Sequence, residues 1–210
     1  GLTWSRRTQL GFNIKTNPAG SIFADKGPVV ITRKTDLPSF LGIMNSNTFS
    51  YLLSLQMAFG SFEVGVIQRT PIPDICSSFK TKINNDLNEL LRIKRDIDQL
   101  NETTHLFVSP SLMQNKSENI IKSVELWTGL IENAVRKGDE IQYDINQISH
   151  EIYNISEPDQ NLIRRSCSDL PSPINKPSTD SLSVAADFLS YTLGTIFGRW
   201  DVRYATGERE

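Results

Sequence analysis

At 210 residues the chain is long enough for one sizeable domain or two small ones, and 38% of it is hydrophobic. Ten Phe, five Tyr and three Trp supply the large apolar surfaces a packed core needs, which excludes general disorder. The formal net charge of -2 does not mark a nucleic-acid binder, but it hides an asymmetry. Residues 1–36 carry six basic side chains (Arg6, Arg7, Lys15, Lys26, Arg33, Lys34) against Asp25 and Asp36, while the remainder has a balance of -6. Such an end suits phosphates, with the acidic remainder facing solvent or a partner; on charge alone, a chance cluster on a solvated face fits equally.

Residues 1–75 read as short, turn-punctuated and strand-like. Phe12 to Lys15 alternates apolar and polar as a half-buried strand should. Asn17-Pro18-Ala19-Gly20 is a turn, Ser21–Ala24 a short strand, Lys26-Gly27-Pro28 a second break, and Val29–Thr32 is rich in β-branched residues. From Leu37 to Phe59 the period changes to that of one or two short helices, opened by Asp36 or Ser39. Ser61–Gln68 returns to strand character, and Pro71-Ile72-Pro73 ends it, since proline removes a ladder donor.

From Ser77 the pattern is helical. Phe79, Ile83, Leu87, Leu90, Ile97 and Leu100 define an amphipathic helix of about seven turns. After a break at Val108-Ser109-Pro110, the residues Ile120, Val124, Trp127, Ile131 and Ala134 repeat the stripe, and Gly138 is expected to end that helix. Ile141, Ile145, Ile148, Ile152 and Ile155 form a third stripe. Three such segments suit an antiparallel bundle or coiled-coil-like hairpin. Leu170–Asp180 holds three prolines and reads as a linker, and Leu182–Phe197 resumes a helix. That stretch is interrupted by Ser183, Asp187, Ser190, Thr192 and Thr195. It falls short of the ~20 apolar residues a membrane span needs, so no membrane partner is expected. With no signal or transit peptide at Gly1, the chain reads as a soluble, cytoplasmic fragment of something larger.

Residues for bond chemistry are scarce. Asn17-Pro18-Ala19-Gly20 lacks the aromatic with which adenine methyltransferases stack a flipped base, and no strand runs into a Gly-rich helix opening. No Asp-x-Lys or Glu-x-Lys pair occurs, as a metal-dependent nuclease would have. His105 and His150 have no nucleophile elbow nearby. Cys76 and Cys167 form neither a disulfide framework nor a metal-ligand spacing and are expected as packing residues. Gly194 and Gly198, four apart, suit close helix packing. The expectation is therefore a chain with no catalytic residue, no metal and no cofactor of its own.

Binding residues are easier to find. Trp4-Ser5-Arg6-Arg7, with Thr8 and Gln9, offers a stacking ring, guanidinium forks and polar donors. Lys26 sits on a turn beside Gly27, where backbone approaches a ligand closely. Glu63, Gln68 and Arg69 fall near the ends of the expected Ser61–Gln68 strand, where by residue type they suit edge-strand solubility as well.

Several strings, in order, resemble one family. GLTWSRRTQLGFNIKTNPAGSIFADKGPVV resembles the opening of the target-recognition region of large single-chain adenine-specific DNA methyltransferases, those of type IIG restriction–modification enzymes and of BREX phage-defence systems. LPSFLGIMNSNTFSYLLSL and SFEVGVIQRTPIPD resemble the helical segment and proline exit that follow; INQISHEIYNISEPDQNLI resembles the spacer and LSYTLGTIFGRWDVR a later helix. The resemblance implies a portion that selects the DNA sequence, with S-adenosylmethionine and the catalytic residues in a separate domain of the same parent chain. Trp4, Arg6, Arg7, Lys26, Glu63 and Arg69 lie in the matching recognition strings; with Gln68 they are the expected contacts to double-stranded DNA. In FGRWD, a structural role is equally open: Trp200 closing a core and Arg199 paired with Asp201 or a nearby carboxylate.

The expected architecture is α+β: a small β-rich recognition module over 1–75, a helical spacer over 76–169, a linker over 170–181, and a helix with a truncated further element over 182–210. The alternative function is a helical protein-interaction scaffold within a larger complex, which the acidity and the three apolar stripes favour.

Overall fold

The computed structural model describes residues 1–8, 11–57, 60–201, 203 and 206–208. Gln9, Phe59 and Val202 lie outside the described residues. The fold is α+β: three short strands, β1 (Leu2–Trp4), β2 (Ile14–Thr16) and β3 (Val29–Val30), precede the helices. These are α1 (Leu37–Met44), α2 (Asn47–Ser54), α3 (Val64–Arg69), α4 (Ser77–Asp98), α5 (Ser111–Gln114), α6 (Ile120–Ile152), α7 (Glu157–Ser166) and α8 (Ser181–Ile196). Contacts divide the chain into two compact units, Gly1–Leu90 with Asp139–Pro173, and Leu91–Gly138 with Ile174–Glu210. The boundary therefore cuts through α4 and α6 instead of following the sequential segments expected from composition.

In the first unit the sheet is antiparallel with order β2-β1-β3, and Trp4 faces Ile14 while Leu2 faces Thr16 and Val30. The two-residue period puts Leu2 and Trp4 on one face, where both are buried with Ile14. Phe12 stands at the centre of an aromatic cluster, its ring 5.2–6.3 Å from those of Trp4, Phe49 and Phe62. The Asn45 carboxamide joins sheet to helices: it donates to the Ile14 carbonyl and accepts from the Ile14 N–H, both at 2.9 Å. Ser46 caps α2 by accepting from the Phe49 N–H, and its hydroxyl lies 2.9 Å from that of Ser149 on α6. Asn146 accepts from the Asn47 N–H at 2.9 Å, so the buried polar residues of α6 hold the α1–α2 corner. Gly42 allows close approach there: a methyl group at its Cα would lie 2.7 Å from Ile83 Cγ2 and within van der Waals contact of Ile145.

Three local expectations are corrected. Ser61–Gln68 is not a strand: Ser61 forms an isolated bridge with Arg7, and the chain then turns into α3. Val66 and Ile67 are its buried positions, with Phe62 and Thr70 buried just outside its ends, which is helical spacing, and among the described residues no named strand pairs with it. Ser21–Ala24 contributes only the Ala24–Gly27 bridge, and its apolar residues Ile22 and Phe23 stay exposed instead of packing as one face of a strand. Gly138 does not end a helix: α6 runs unbroken for 33 residues, joining two expected helices. A glycine is needed there because a Cβ would meet Ile174 at 2.6 Å. The helix stops beyond Ile152, where Asn154 adopts positive φ (52°) and the Ile155 N–H returns to the His150 carbonyl.

The second unit packs Val124, Trp127 and Ile131 of α6 against Val184 of α8, with Ile97, Leu100, Leu112 and Val135 around them. Asp180 caps α8 by accepting from the Leu182 and Ser183 N–H groups; the bond from the Ser178 hydroxyl first, then those from Ser183 and Leu182, hold its carboxyl well below the usual range. At the other end Gly198 takes positive φ, and Trp200 folds back against Phe107 (4.8 Å) and stacks on Tyr191. Arg199 lies over the Trp200 ring and pairs with Glu102, while Asp201 pairs with Arg203. FGRWD is thus a helix stop and core lid, the structural role the sequence left open. Gly194 serves the same corner, since a Cβ there would lie 3.1 Å from Trp200 Nε1.

His150 is 2% exposed, and among the described residues neither ring nitrogen has a hydrogen-bond partner. Burial, and then the nearby Arg164 charge, push its pKa below the ordinary imidazole value. The unfolded chain therefore takes up the proton first: stability is whole above about pH 6.5 and declines as pH falls below it. Urea unfolding midpoints should fall between about pH 7.5 and 5.5, and His150→Leu should flatten that decline. An identical pH dependence in the variant would remove His150 as the cause.

Candidate nucleic-acid interface

The residues proposed from sequence as contacts arrive from separate parts of the chain. Beyond β1 the backbone of Arg6 runs between two partners: its carbonyl accepts from the Phe62 N–H at 2.8 Å, and its N–H approaches the Lys26 carbonyl at 3.5 Å. The turn carrying Lys26 is closed by the Gly27 N–H bonding to Ala24 at 3.0 Å, and Thr3 secures it through the Pro28 carbonyl at 2.9 Å. Glu63 is the N-cap position of α3, directly after Phe62. Arg6, Arg7, Lys26 and Glu63 therefore share one edge of the first unit.

The side chains there are not all available. Arg6 is held in a fork: Nη1 lies 2.6 Å from both Asp25 carboxylate oxygens, and Nη2 pairs with Glu63. The Arg6 side chain is about three-quarters covered, while those of Asp25 and Glu63 stay more open to solvent. Exposed pairs of this kind contribute little to stability, so the chief effect of this one is to fix geometry. Glu63 also accepts from the Ser61 hydroxyl at 2.7 Å; that bond first, and Arg6 second, hold its carboxyl below the usual carboxylate range. Arg7, bridged to Ser61 two residues before Glu63, acts on that carboxyl in the same direction.

Arg7 and Lys26 are exposed, Lys26 with its ammonium 3.5 Å from Asp25. Gln68 and Arg69 are exposed at the end of α3, where Arg69 turns back so that its Nη1 would lie 3.5 Å from a Cβ at Gly65. Trp4 is the exception. It is buried, with its indole N–H donating to the Phe62 carbonyl at 2.9 Å, so its ring serves the core and is not a stacking platform. The alternation that makes Trp4 a strand residue also turns it inward.

Sequence reasoning missed Asp25 and Ser61, which position Arg6 and Glu63. Asp25 lies 19 positions from Arg6, and only the fold brings them together. Among the described residues no group of His, Cys, Asp and Glu is arranged to hold a metal ion, and no helix is long and apolar enough to cross a membrane. Cys76 is exposed and Cys167 half-buried, so the packing role expected for both fits only the second. Comparison with known proteins gives no matching family model and no matching curated sequence.

If Ser61 and Arg6 set the ionisation of Glu63, its carboxyl pKa followed by carbon-detected NMR should rise in Ser61→Ala and in Arg6→Ala, more in the former. A depressed carboxyl contributes stability above its unfolded value and loses it as pH falls through its folded one, so both variants should lose less stability on acidification. Unchanged titration in both would remove the assignment.

Proposed function

We propose that this chain is the DNA target-recognition portion of an adenine-specific DNA methyltransferase of the type IIG or BREX kind, non-catalytic by itself. The observation that supports it is the gathering of Arg6, Arg7, Lys26 and Glu63 from three chain segments onto one edge. In this reading exposed Arg7 and Lys26 hold phosphates and set register, a sequence-independent task. Glu63, kept ionised, accepts from a cytosine amino group, and Gln68 and Arg69 read neighbouring base edges. Arg6 is the pivot: its two carboxylate partners keep the guanidinium in one orientation, so Glu63 is presented in one pose.

The partners are double-stranded DNA and the catalytic domain of the same parent chain, in the cytoplasm. In this reading S-adenosylmethionine is held by that catalytic domain. Fluorescence anisotropy of a labelled mixed-sequence duplex at several salt concentrations tests the reading. Wild-type binding should weaken steeply with salt, and Arg7→Ala with Lys26→Ala should lower the log–log slope by about 2. A folded sample that binds no DNA at low salt would end the proposal.

A second reading, a helical protein-interaction scaffold, is favoured by a different observation. Leu182, Leu189, Leu193 and Ile196 lie on one stripe of α8, each 56–81% exposed, opposite the face that buries Val184. A charge-free stripe of that size is unusual on a solvated helix and suits another protein surface. Leu189→Ser with Leu193→Ser should reduce binding of the dye ANS while leaving the melting temperature unchanged. A large fall in melting temperature would mean that the stripe is packed, not presented.

A further inference from the structure

Beside the cations of the candidate interface stand two apolar side chains that no core contact explains. Ile22 is 100% exposed and Phe23 56% exposed. They occupy the tip between two turns. The first has Gly20 at φ +82° and the Ser21 N–H facing the Pro18 carbonyl at 3.4 Å; the second is closed by the Gly27 N–H bonding to Ala24. The tip is also tethered. Asp25, two residues on, is clamped by Arg6, and Thr3 holds the Pro28 carbonyl. An isoleucine wholly in water is unfavourable, and two adjacent apolar residues on a pinned turn are a different matter from scattered surface leucines.

We propose that Ile22 and Phe23 form an apolar wedge that enters between base pairs of duplex DNA lying along this edge; the inference rests on the DNA-recognition reading above. Charge complementarity favours DNA over a protein occupant. The tip lies on the edge that carries the exposed cations Arg7 and Lys26, while Asp25 and Glu63 are taken up by Arg6, so a backbone drawn in by Arg7 and Lys26 brings base steps to the apolar pair. Proteins that insert isoleucine or phenylalanine in this way unstack a step and kink the duplex, and the wedge must be held rigidly to do so. Here the two turns and the Arg6–Asp25 clamp supply that rigidity before DNA arrives. Ile22 and Phe23 would then set preference for flexible steps, a selectivity that needs no hydrogen bond to a base.

The test uses the full chain and a short mixed-sequence duplex carrying a fluorescence energy-transfer pair at its ends, with affinity followed by anisotropy. Ile22→Ser with Phe23→Ser removes the wedge; both positions are exposed, so an unchanged melting temperature verifies the fold. Wild type should raise transfer as the duplex kinks. The variant should bind roughly tenfold more weakly, with the same salt slope and no rise in transfer. A variant that matches wild type in affinity and transfer would overturn the wedge, return the tip to a protein contact, and leave the DNA-recognition reading standing. Failure of folded wild type to bind the duplex would overturn both.

Discussion

Asn45 caps the end of α1 just before α2, and its one side chain satisfies both backbone groups of Ile14 in β2. A carboxamide does this only when its plane and the strand coincide, so the bond pair fixes the angle at which β2 packs beside the end of α1. The next residue, Ser46, caps α2 and meets Ser149 of α6; Asn146 supplies the acceptor for Asn47. Buried polar groups cost about 1–3 kcal/mol when left without partners, so a slip of α6 by one residue is penalised several times at once. The register of the first unit follows from this corner.

The candidate interface depends on that register. With β1 held between β2 and β3, Arg6 emerges beside the Ala24–Gly27 turn and the start of α3. Its fork to Asp25 and Glu63 contributes little free energy but allows few arrangements of the three side chains. The outcome is an edge where carboxylates are already satisfied by one arginine and other cations face outward. A basic composition alone does not produce that distinction.

In the second unit the division between packed and presented surface runs along single helices. α6 turns Val124, Trp127 and Ile131 inward while Leu126 and Leu130 stay exposed, and α8 does the same with Val184 against Leu189 and Leu193. The lid of Trp200 over Phe107 and Tyr191 closes one end of this small core. So much apolar area left outside is consistent with a unit that works against another surface, and both functional readings accommodate it.

By itself the sequence determined the apolar stripes of α4 and α6, the helix of α8 and the α+β class, because apolar spacing is a local property of the chain. It also determined that the basic residues cluster within 1–36, where Arg6, Arg7 and Lys26 are found. Only the tertiary structure decided that Ser61–Gln68 coils into α3, since alternation over so short a run satisfies either period until a neighbouring strand is present or absent. Tertiary packing likewise carried α6 through Gly138, where a missing side chain makes room for Ile174 and ends nothing. Trp4 was read as a binding residue from its type and became core from its face of β1. Arg6 acquired partners 19 and 57 positions away, pairings that depend on chain reversal and that no local pattern encodes.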